Sequence, residues 1–205
     1  AVGGYARREM SIHSDVDLLF LHRDEITPHV AEVAQRVQYW LWDASLAVGA
    51  ATRTVAETIE LARQDATVRT AVLAPRFLDG SGVLFHELAD RIRSELFSQP
   101  EAFIEEQIRA LHARHEHFGD SLYLLQPNVK EGAGGLRDYH ASWWVMQASQ
   151  PSARGREDFL HLGLLTENEL REYEAALDFL WRVRNELHLL SGRKNDQMSF
   201  ELQEQ

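Results

Sequence analysis

Cysteine is absent from the 205-residue chain. That excludes disulfides, thiolate zinc sites and cysteine nucleophiles, and it permits an intracellular home. No run approaches the roughly 20 apolar residues of a membrane span, and the N-terminus lacks the charged-then-apolar pattern of a signal peptide. Positive charge is scarce: 21 Lys and Arg stand against 32 Asp and Glu, a formal net charge of −11. Neither nucleic acid nor an anionic membrane surface is therefore expected as a partner. Internal repeats and low-complexity stretches are also missing.

What is present is the composition of a folded protein. Hydrophobic residues make up 44%, with nine Phe, five Trp and five Tyr among them, enough for one or two cores and too much for a disordered chain. Ala1-Val2-Gly3-Gly4 reads as the end of a strand whose beginning lies outside the chain, and Phe200 to Gln205 as a polar, helix-compatible stretch. The chain is expected to be part of something longer.

Composition shifts once, near Gly80-Ser81-Gly82. Before it, Val16 to Leu21 is a short apolar run that predicts a buried strand. Thr27-Pro28 then predicts an N-cap and first-turn proline for a helix reaching about Ser45, with Val30, Val33, Val37, Trp40 and Leu41 on its apolar face. A second strand begins at Leu46-Ala47-Val48-Gly49, and Val55 to Gln64 predicts a short helix. Ala66 to Leu78 is ambiguous between strand and helix. After the shift, helix dominates: Val83 to Phe97, a helix opened by Pro100 with Phe103, Ile104, Ile108 and Leu111 on one face, then about Arg137 to Gln147 and Glu167 to Ser191. A glycine-rich loop from Phe118 to Leu136 separates them. Thr166-Glu167-Asn168-Glu169 has capping-box spacing. The expected class is α+β: a small mixed-sheet domain over residues 1–80, then a mostly helical domain over 81–205.

Chemistry concentrates in Ser14-Asp15-Val16-Asp17. On a strand, Asp15 and Asp17 project from the same face, roughly 6–7 Å apart. Two carboxylates that close repel unless a cation sits between them, and Mg²⁺ prefers such oxygens while leaving positions for phosphate. Upstream, Gly3-Gly4 predicts a turn where backbone can approach a phosphate, and Arg7 and Arg8 follow within reach of its charge. This order of elements suits a metal-dependent nucleotidyltransferase. In the later loop, Lys130, Arg137 and Asp138 are candidates to line a substrate cleft; the alternative is a loop shaped by Gly132, Gly134 and Gly135, with Asp138 capping the next helix. His112, His115 and His117 read as a solvated helix face, His188 as a core histidine with a partner, and Arg182, Arg184 and Glu186 as surface ion pairs. Trp40, Trp42, Trp143, Trp144 and Trp181 read as helix-packing residues.

Three blocks resemble a known family. Gly3-Gly4-Tyr5-Ala6-Arg7-Arg8-Glu9-Met10 with Ser14-Asp15-Val16-Asp17-Leu18-Leu19-Phe20-Leu21, Pro127 through Asp138, and Phe179 through His188 running to Phe200-Glu201-Leu202-Gln203 are similar to the bifunctional PII uridylyltransferase/uridylyl-removing enzymes. The resemblance implies a nucleotidyltransferase domain and a helical domain, which a metal-dependent phosphohydrolase domain and glutamine-sensing domains follow in the family. It implies transfer of UMP from UTP to a tyrosine of the PII signal protein, with Mg²⁺, in the bacterial cytoplasm. Asp15 and Asp17 match the family's metal-binding acids, and Gly3-Gly4 its phosphate-contacting loop. The chain also departs from the family. Ala6 and Arg8 stand where glycine is usual, Ala50-Ala51 where His-Ser is common, and Ala74 near the position of a third acid, with Asp65 and Asp79 as nearby acids. Those departures motivate an alternative: a degenerate module that binds PII or nucleotide and regulates an attached hydrolase domain. ATP in place of UTP is a further alternative, since nothing in the sequence reads the base edge.

Overall fold

The structure, a computed structural model, describes residues 1–119, 121, 123–150, 153 and 156–205. Positions 120 and 122 of the expected glycine-rich loop therefore lie outside the described residues. The chain divides into two compact units, Ala1–Ser98 and Gln99–Gln205.

In the first unit, strand β1 (Val16–His22) buries Val16 and Leu18. Helix α2 (Pro28–Asp43) starts where the sequence places it: Thr27 Oγ1 accepts the Val30 N–H at 3.3 Å and Pro28 occupies the first turn. It leads to β2 (Val48–Thr54), which pairs with β1 in parallel from Val16↔Val48 to His22↔Thr54. A crossover helix carries the chain back to the starting end of the sheet, so the second strand must run parallel to the first. The expected mixed sheet is thus corrected: among the described residues the sheet has two strands, both parallel. Residues 1 and 2 lie outside both strands and are held by isolated bonds. The Val2 N–H donates to the Asp17 carbonyl at 3.1 Å, and Ala1 exchanges backbone bonds of 2.8 and 3.0 Å with Arg76.

The expected Gly3-Gly4 turn is the start of a short helix, α1 (Gly3–Arg7), in which Gly3 has φ +60°. Its end is made by Arg8, in the left-handed region at φ 62°, ψ 30°, with its N–H turned back to the Gly4 and Tyr5 carbonyls. Arg76 holds the same end, donating to the Tyr5 and Ala6 carbonyls at 2.8 and 3.0 Å and lying over the Tyr5 ring at 4.9 Å.

Helix α3 (Val55–Gln64) follows a full capping box between Thr54 and Glu57. The ambiguous stretch after it is helical, α4 (Ala66–Val72). Asp65 decides this: its Oδ1 accepts the Thr67 and Val68 N–H groups at 2.7 and 3.1 Å, outweighing the weak strand preference of the β-branched residues. Helix α5 (Gly82–Arg91) and a π-helical turn (Ile92–Leu96) pack on α3, so this unit extends past the composition change at Gly80-Ser81-Gly82. Its core holds Val55, Ile59, Ala62, Val72, Leu88, Ile92 and Phe97.

The apolar face expected of α2 is only partly covered. Ala34 is its buried residue, while Val33 is 42% and Trp40 66% exposed. Val30, Val33, Val37 and Leu41 line a cavity of about 570 Å³ together with β1 and residues 76–81, 84 and 85. Two strands offer too little surface to cover a helix of sixteen residues, which is why Trp40 and Trp42 are not the packing residues they were expected to be.

The second unit is helical: α6 (Pro100–Phe118), α7 (Leu136–Ser149), α8 (Arg156–His161), α9 (Glu167–Ser191) and α10 (Phe200–Gln203). Helix α9 begins with the predicted capping box, Thr166 with Glu169. Leu136 and Tyr139 of α7 pack against Leu177, Tyr173, Leu180 and Trp181 of α9. Trp143 meets Phe159 edge-on at 5.2 Å, which seats α8. On α6, Phe103 and Gln107 are buried, whereas Ile108, expected inside, is 50% exposed. Among the described residues no helix is long and apolar enough to cross a membrane.

The left-handed Arg8 carries a testable consequence. A non-glycine residue there costs about 1–2 kcal/mol, partly offset by the greater chain entropy that glycine loses on folding. Arg8→Gly is expected to stabilise the protein by roughly 0.5–1 kcal/mol, read as a higher urea midpoint with an unchanged slope.

Candidate functional site

Two groups of candidate residues lie in separate units. In the first, Asp15 precedes β1 and Asp17 is its second residue. A tight turn presents them: the Ser14 N–H donates to the Ser11 carbonyl at 2.9 Å, and Ser14 Oγ accepts the Ser11 N–H at 2.8 Å. Asp17 faces outward from β1, alternating with the buried Val16 and Leu18, and Asp15 lies two residues before it, just ahead of the strand. Asp15 is exposed and Asp17 half-buried.

The Asp17 carboxylate sits between two glycines. A Cβ on Gly3 would lie 2.6 Å from its Oδ2, and one on Gly49 2.7 Å from its Oδ1. Gly49 is also the register partner of Asp17 across the sheet. The helix start at Gly3-Gly4 thus borders the acid directly, as the sequence order suggested. Arg7 is committed elsewhere: its Nε donates to Glu9 at 2.8 Å, and both side chains are nearly buried.

Two carboxylates on one strand end are a donor set Mg²⁺ accepts, because this ion is commonly held by one or two carboxylates with substrate phosphate and water completing its octahedron. A Cβ on either glycine would crowd the Asp17 carboxylate, so glycine on both sides keeps this oxygen donor in place, and the two carboxylates present fit such an ion. Among the described residues no group of three or more His, Asp or Glu side chains could hold one. The acids near the expected third position serve local roles: Asp65 caps α4, and Asp79 accepts the Gly80 N–H at 2.8 Å. Ala74 lies in the bend after α4. Ala51 falls on the acid face of β2 by alternation from Gly49, so a methyl stands there.

In the second unit, the loop before α7 is tied to the segment after α9. The Val129 N–H donates to the Asp196 carbonyl at 2.8 Å, the Met198 N–H to the Pro127 carbonyl at 3.0 Å, and Asn128 bridges Gln197. Asn128 Oδ1 folds the loop by accepting the Lys130 and Glu131 N–H groups at 3.1 and 2.8 Å. Lys130 lies 3.4 Å from Glu131, which also pairs with Arg137 at 3.2 Å. Burial and the adjacent Arg137 charge pull the Lys130 ammonium below its ordinary value, against the opposing pull of Glu131 and Asp196.

Beneath the loop, Asp196 accepts from Arg184 Nε at 2.6 Å, and His188 Nε2 lies 3.4 Å away. His188 is the partnered core histidine the sequence suggests. Arg184 is not a surface residue: it is 5% exposed, held inside by the carboxylate. Burial pushes the Asp196 carboxyl up, but the hydrogen bond and charge of Arg184 outweigh it, and the group rests below the usual carboxylate range. Arg182, by contrast, makes the expected exposed pair, with Asp178 at 2.7 Å.

His115, expected on a solvated face, is also partnered. Its Nε2 lies 2.9 Å from Asp138 Oδ2, and Asp138 further accepts from Arg114 and from the Gly134 N–H at 2.8 Å. Asp138 thus joins α6 to α7 and braces the glycine loop. The acid is 23 residues away in sequence, outside any helical spacing. Arg76 and Gly49 were missed for the same reason, since their partners are distant in the chain and no local motif marks them.

Comparisons with known proteins converge. A family model described as GlnD PII-uridylyltransferase matches residues 102–205, just over half of the chain. A bifunctional uridylyltransferase/uridylyl-removing enzyme from Cereibacter sphaeroides is 45% identical over 99% of this chain and 22% of its own length. Enzymes of the same name from Erythrobacter litoralis and Ruegeria pomeroyi are 41% and 43% identical over 100% and 99% of the chain, again 22% of their own lengths. The chain therefore spans about a fifth of the curated relatives it matches. No solved structure matches it.

The Arg184–Asp196 pair predicts an acid-sensitive second unit. A carboxyl whose folded pKa is depressed contributes stability above its unfolded value, about 3.9 for Asp, and that stability is lost as pH falls through the lower folded value. Asp196→Asn is expected to destabilise the protein by about 3 kcal/mol at pH 7, because Arg184 is left buried without its counter-charge. It should also flatten the loss of stability below about pH 4. Urea midpoints measured from pH 2 to 7 check both.

Proposed function

The chain belongs to the PII-uridylyltransferase family, and on that premise we propose that it supplies the nucleotidyl-transfer centre of an enzyme moving UMP from UTP to a tyrosine of the PII signal protein. The observation that carries this reading is the Asp15–Asp17 pair at the head of β1, with the Asp17 carboxylate seated against the Gly3 backbone.

In this reading Asp15 and Asp17 hold Mg²⁺, which when bound neutralises the triphosphate and favours displacement at the α-phosphorus. Gly3 and Gly4 allow the polyphosphate to approach the backbone beside Asp17. The tyrosine oxygen bonds to the α-phosphorus as the bond to the β-phosphate oxygen breaks; pyrophosphate leaves and the phenolic proton passes to water. Arg7, braced by Glu9, holds positive charge at the end of α1 rather than reaching out as a mobile clamp. Lys130 is assigned to the anionic substrate in the second unit, on a loop kept in shape by Asn128 and by Asp196. Uridylyl removal, named in the relatives, is assigned to parts of the protein outside this chain, and the reaction to the bacterial cytoplasm.

A second reading rests on a specific observation: β2 places Ala51 on the acid face, and no third acid joins the pair among the described residues. A module that binds nucleotide or PII without transferring anything would look the same there. The two separate in one experiment on the full-length protein with labelled UTP, Mg²⁺ and PII. Transfer is expected, with Asp15→Asn and Asp17→Asn each lowering its rate by at least about a hundredfold, the scale of losing one electrostatic stabiliser of a transition state. UTP binding without transfer in the unaltered protein would favour the second reading. Unchanged transfer in both variants would remove the proposed site, and labelling from ATP in preference to UTP would change the nucleotide.

A further inference from the structure

The second wall of the Asp17 slot belongs to β2, where the sequence marks Gly49 only as part of a strand start. Asp17 and Gly49 face each other in the parallel register. A Cβ at Gly49 would stand 2.7 Å from Asp17 Oδ1 and 3.9 Å from its Cγ, the first distance closer than real Cβ contacts come. On the other side, a Cβ at Gly3 would stand 2.6 Å from Oδ2. Each oxygen is thus flanked by one glycine, at a distance that a side chain on either would have closed.

Glycine is an odd choice for this strand on other grounds. It weakens strands through its entropy and its missing side chain, and in a strand it often marks a close approach. Gly49 is exposed, so packing above it does not demand a small residue. It is not among the positive-φ glycines either, so backbone conformation does not require it. The remaining constraint is the carboxylate opposite.

We infer that Gly49 is a positioning residue: it fixes the rotamer of Asp17 and so sets the geometry in which the acid pair grips a divalent cation. This deepens the reading of the acid pair as a metal site and rests on it. With no group of three acids among the described residues, orientation of the two that are present bears more of the binding, because Mg²⁺ tolerates little departure from octahedral geometry.

The test uses Mn²⁺ as the probe, read by electron paramagnetic resonance on the full-length protein, together with thermal unfolding without metal. Gly49→Ala is expected to weaken the Mn²⁺ affinity that Asp17→Asn abolishes by about tenfold or more, and to raise the Mg²⁺ concentration for half-maximal transfer while PII affinity holds. Ala50→Ser, on the opposite face of the same strand, serves as the control and leaves Mn²⁺ affinity as it was. In unfolding, Gly49→Ala lowers the midpoint when Asp17 is present and does not lower it in the Asp17→Ala background, since the clash partner is then gone. That double-mutant comparison decides the steric claim even if Gly49→Ala alone folds poorly. Wild-type Mn²⁺ affinity in Gly49→Ala, with affinity lost in Asp17→Asn, overturns the inference and spares the metal site. Affinity unchanged in Asp17→Asn as well overturns the metal site itself.

Discussion

The first unit depends on one geometric constraint, the parallel pairing that places Asp17 opposite Gly49. Because α2 carries the chain from β1 back to the start of β2, the strands pair from their first residues, Val16 with Val48. A slip of one residue would turn every side chain to the other face. It would bury the acids and set Ala50 rather than Gly49 beside the carboxylate. The apolar anchors that prevent the slip, Val16 and Leu18 on the inner face, alternate with the acids on the outer one. Core packing and candidate chemistry are thus two sides of β1 and the residue that leads into it.

A comparable dependence organises the second unit. Asp196 lies in an irregular segment, yet its side chain holds Arg184 and neighbours His188, while its carbonyl takes the Val129 N–H. Without it, a buried guanidinium would stand uncompensated inside a helical unit. Asp138 performs the matching role at the other end of the loop, gathering Arg114, His115 and the Gly134 N–H. The glycine-rich loop that carries Lys130 is therefore braced at one end by the Asp196 carbonyl and at the other by the Asp138 carboxylate. Backbone hydrogen bonds and the side-chain acceptors of Asn128 and Asp138, with Val129 and Leu136 buried at its ends, give the loop its shape.

The elements with local signals were legible in the sequence. Thr27-Pro28 and Thr166 with Glu169 begin helices where their capping chemistry predicts, because a cap joins groups two or three residues apart. The acid pair and the glycines before it were legible too, being one short stretch of chain. Less legible was whatever rests on coverage. The periodicity of α2 predicts an inward face, but periodicity does not say whether enough sheet exists to receive it, and Trp40 ends 66% exposed. Ion pairs across longer separations were not legible: the sequence places His115 on a solvated face and Arg184 in a surface pair, whereas the fold brings them to Asp138 and Asp196.

By itself, the sequence determined the family, the strand that bears Asp17 and follows Asp15, the starts of the principal helices and the helical character of the second half. These follow from short-range rules, or from blocks of residues that match as continuous strings. Tertiary structure alone decided that the sheet is parallel, that Gly49 walls the Asp17 carboxylate, that Arg76 closes α1 and that Arg184 is buried. Each of those joins residues far apart in the chain, and a side chain's environment is set by whatever the fold brings to within a few ångströms of it, which no spacing along the chain encodes.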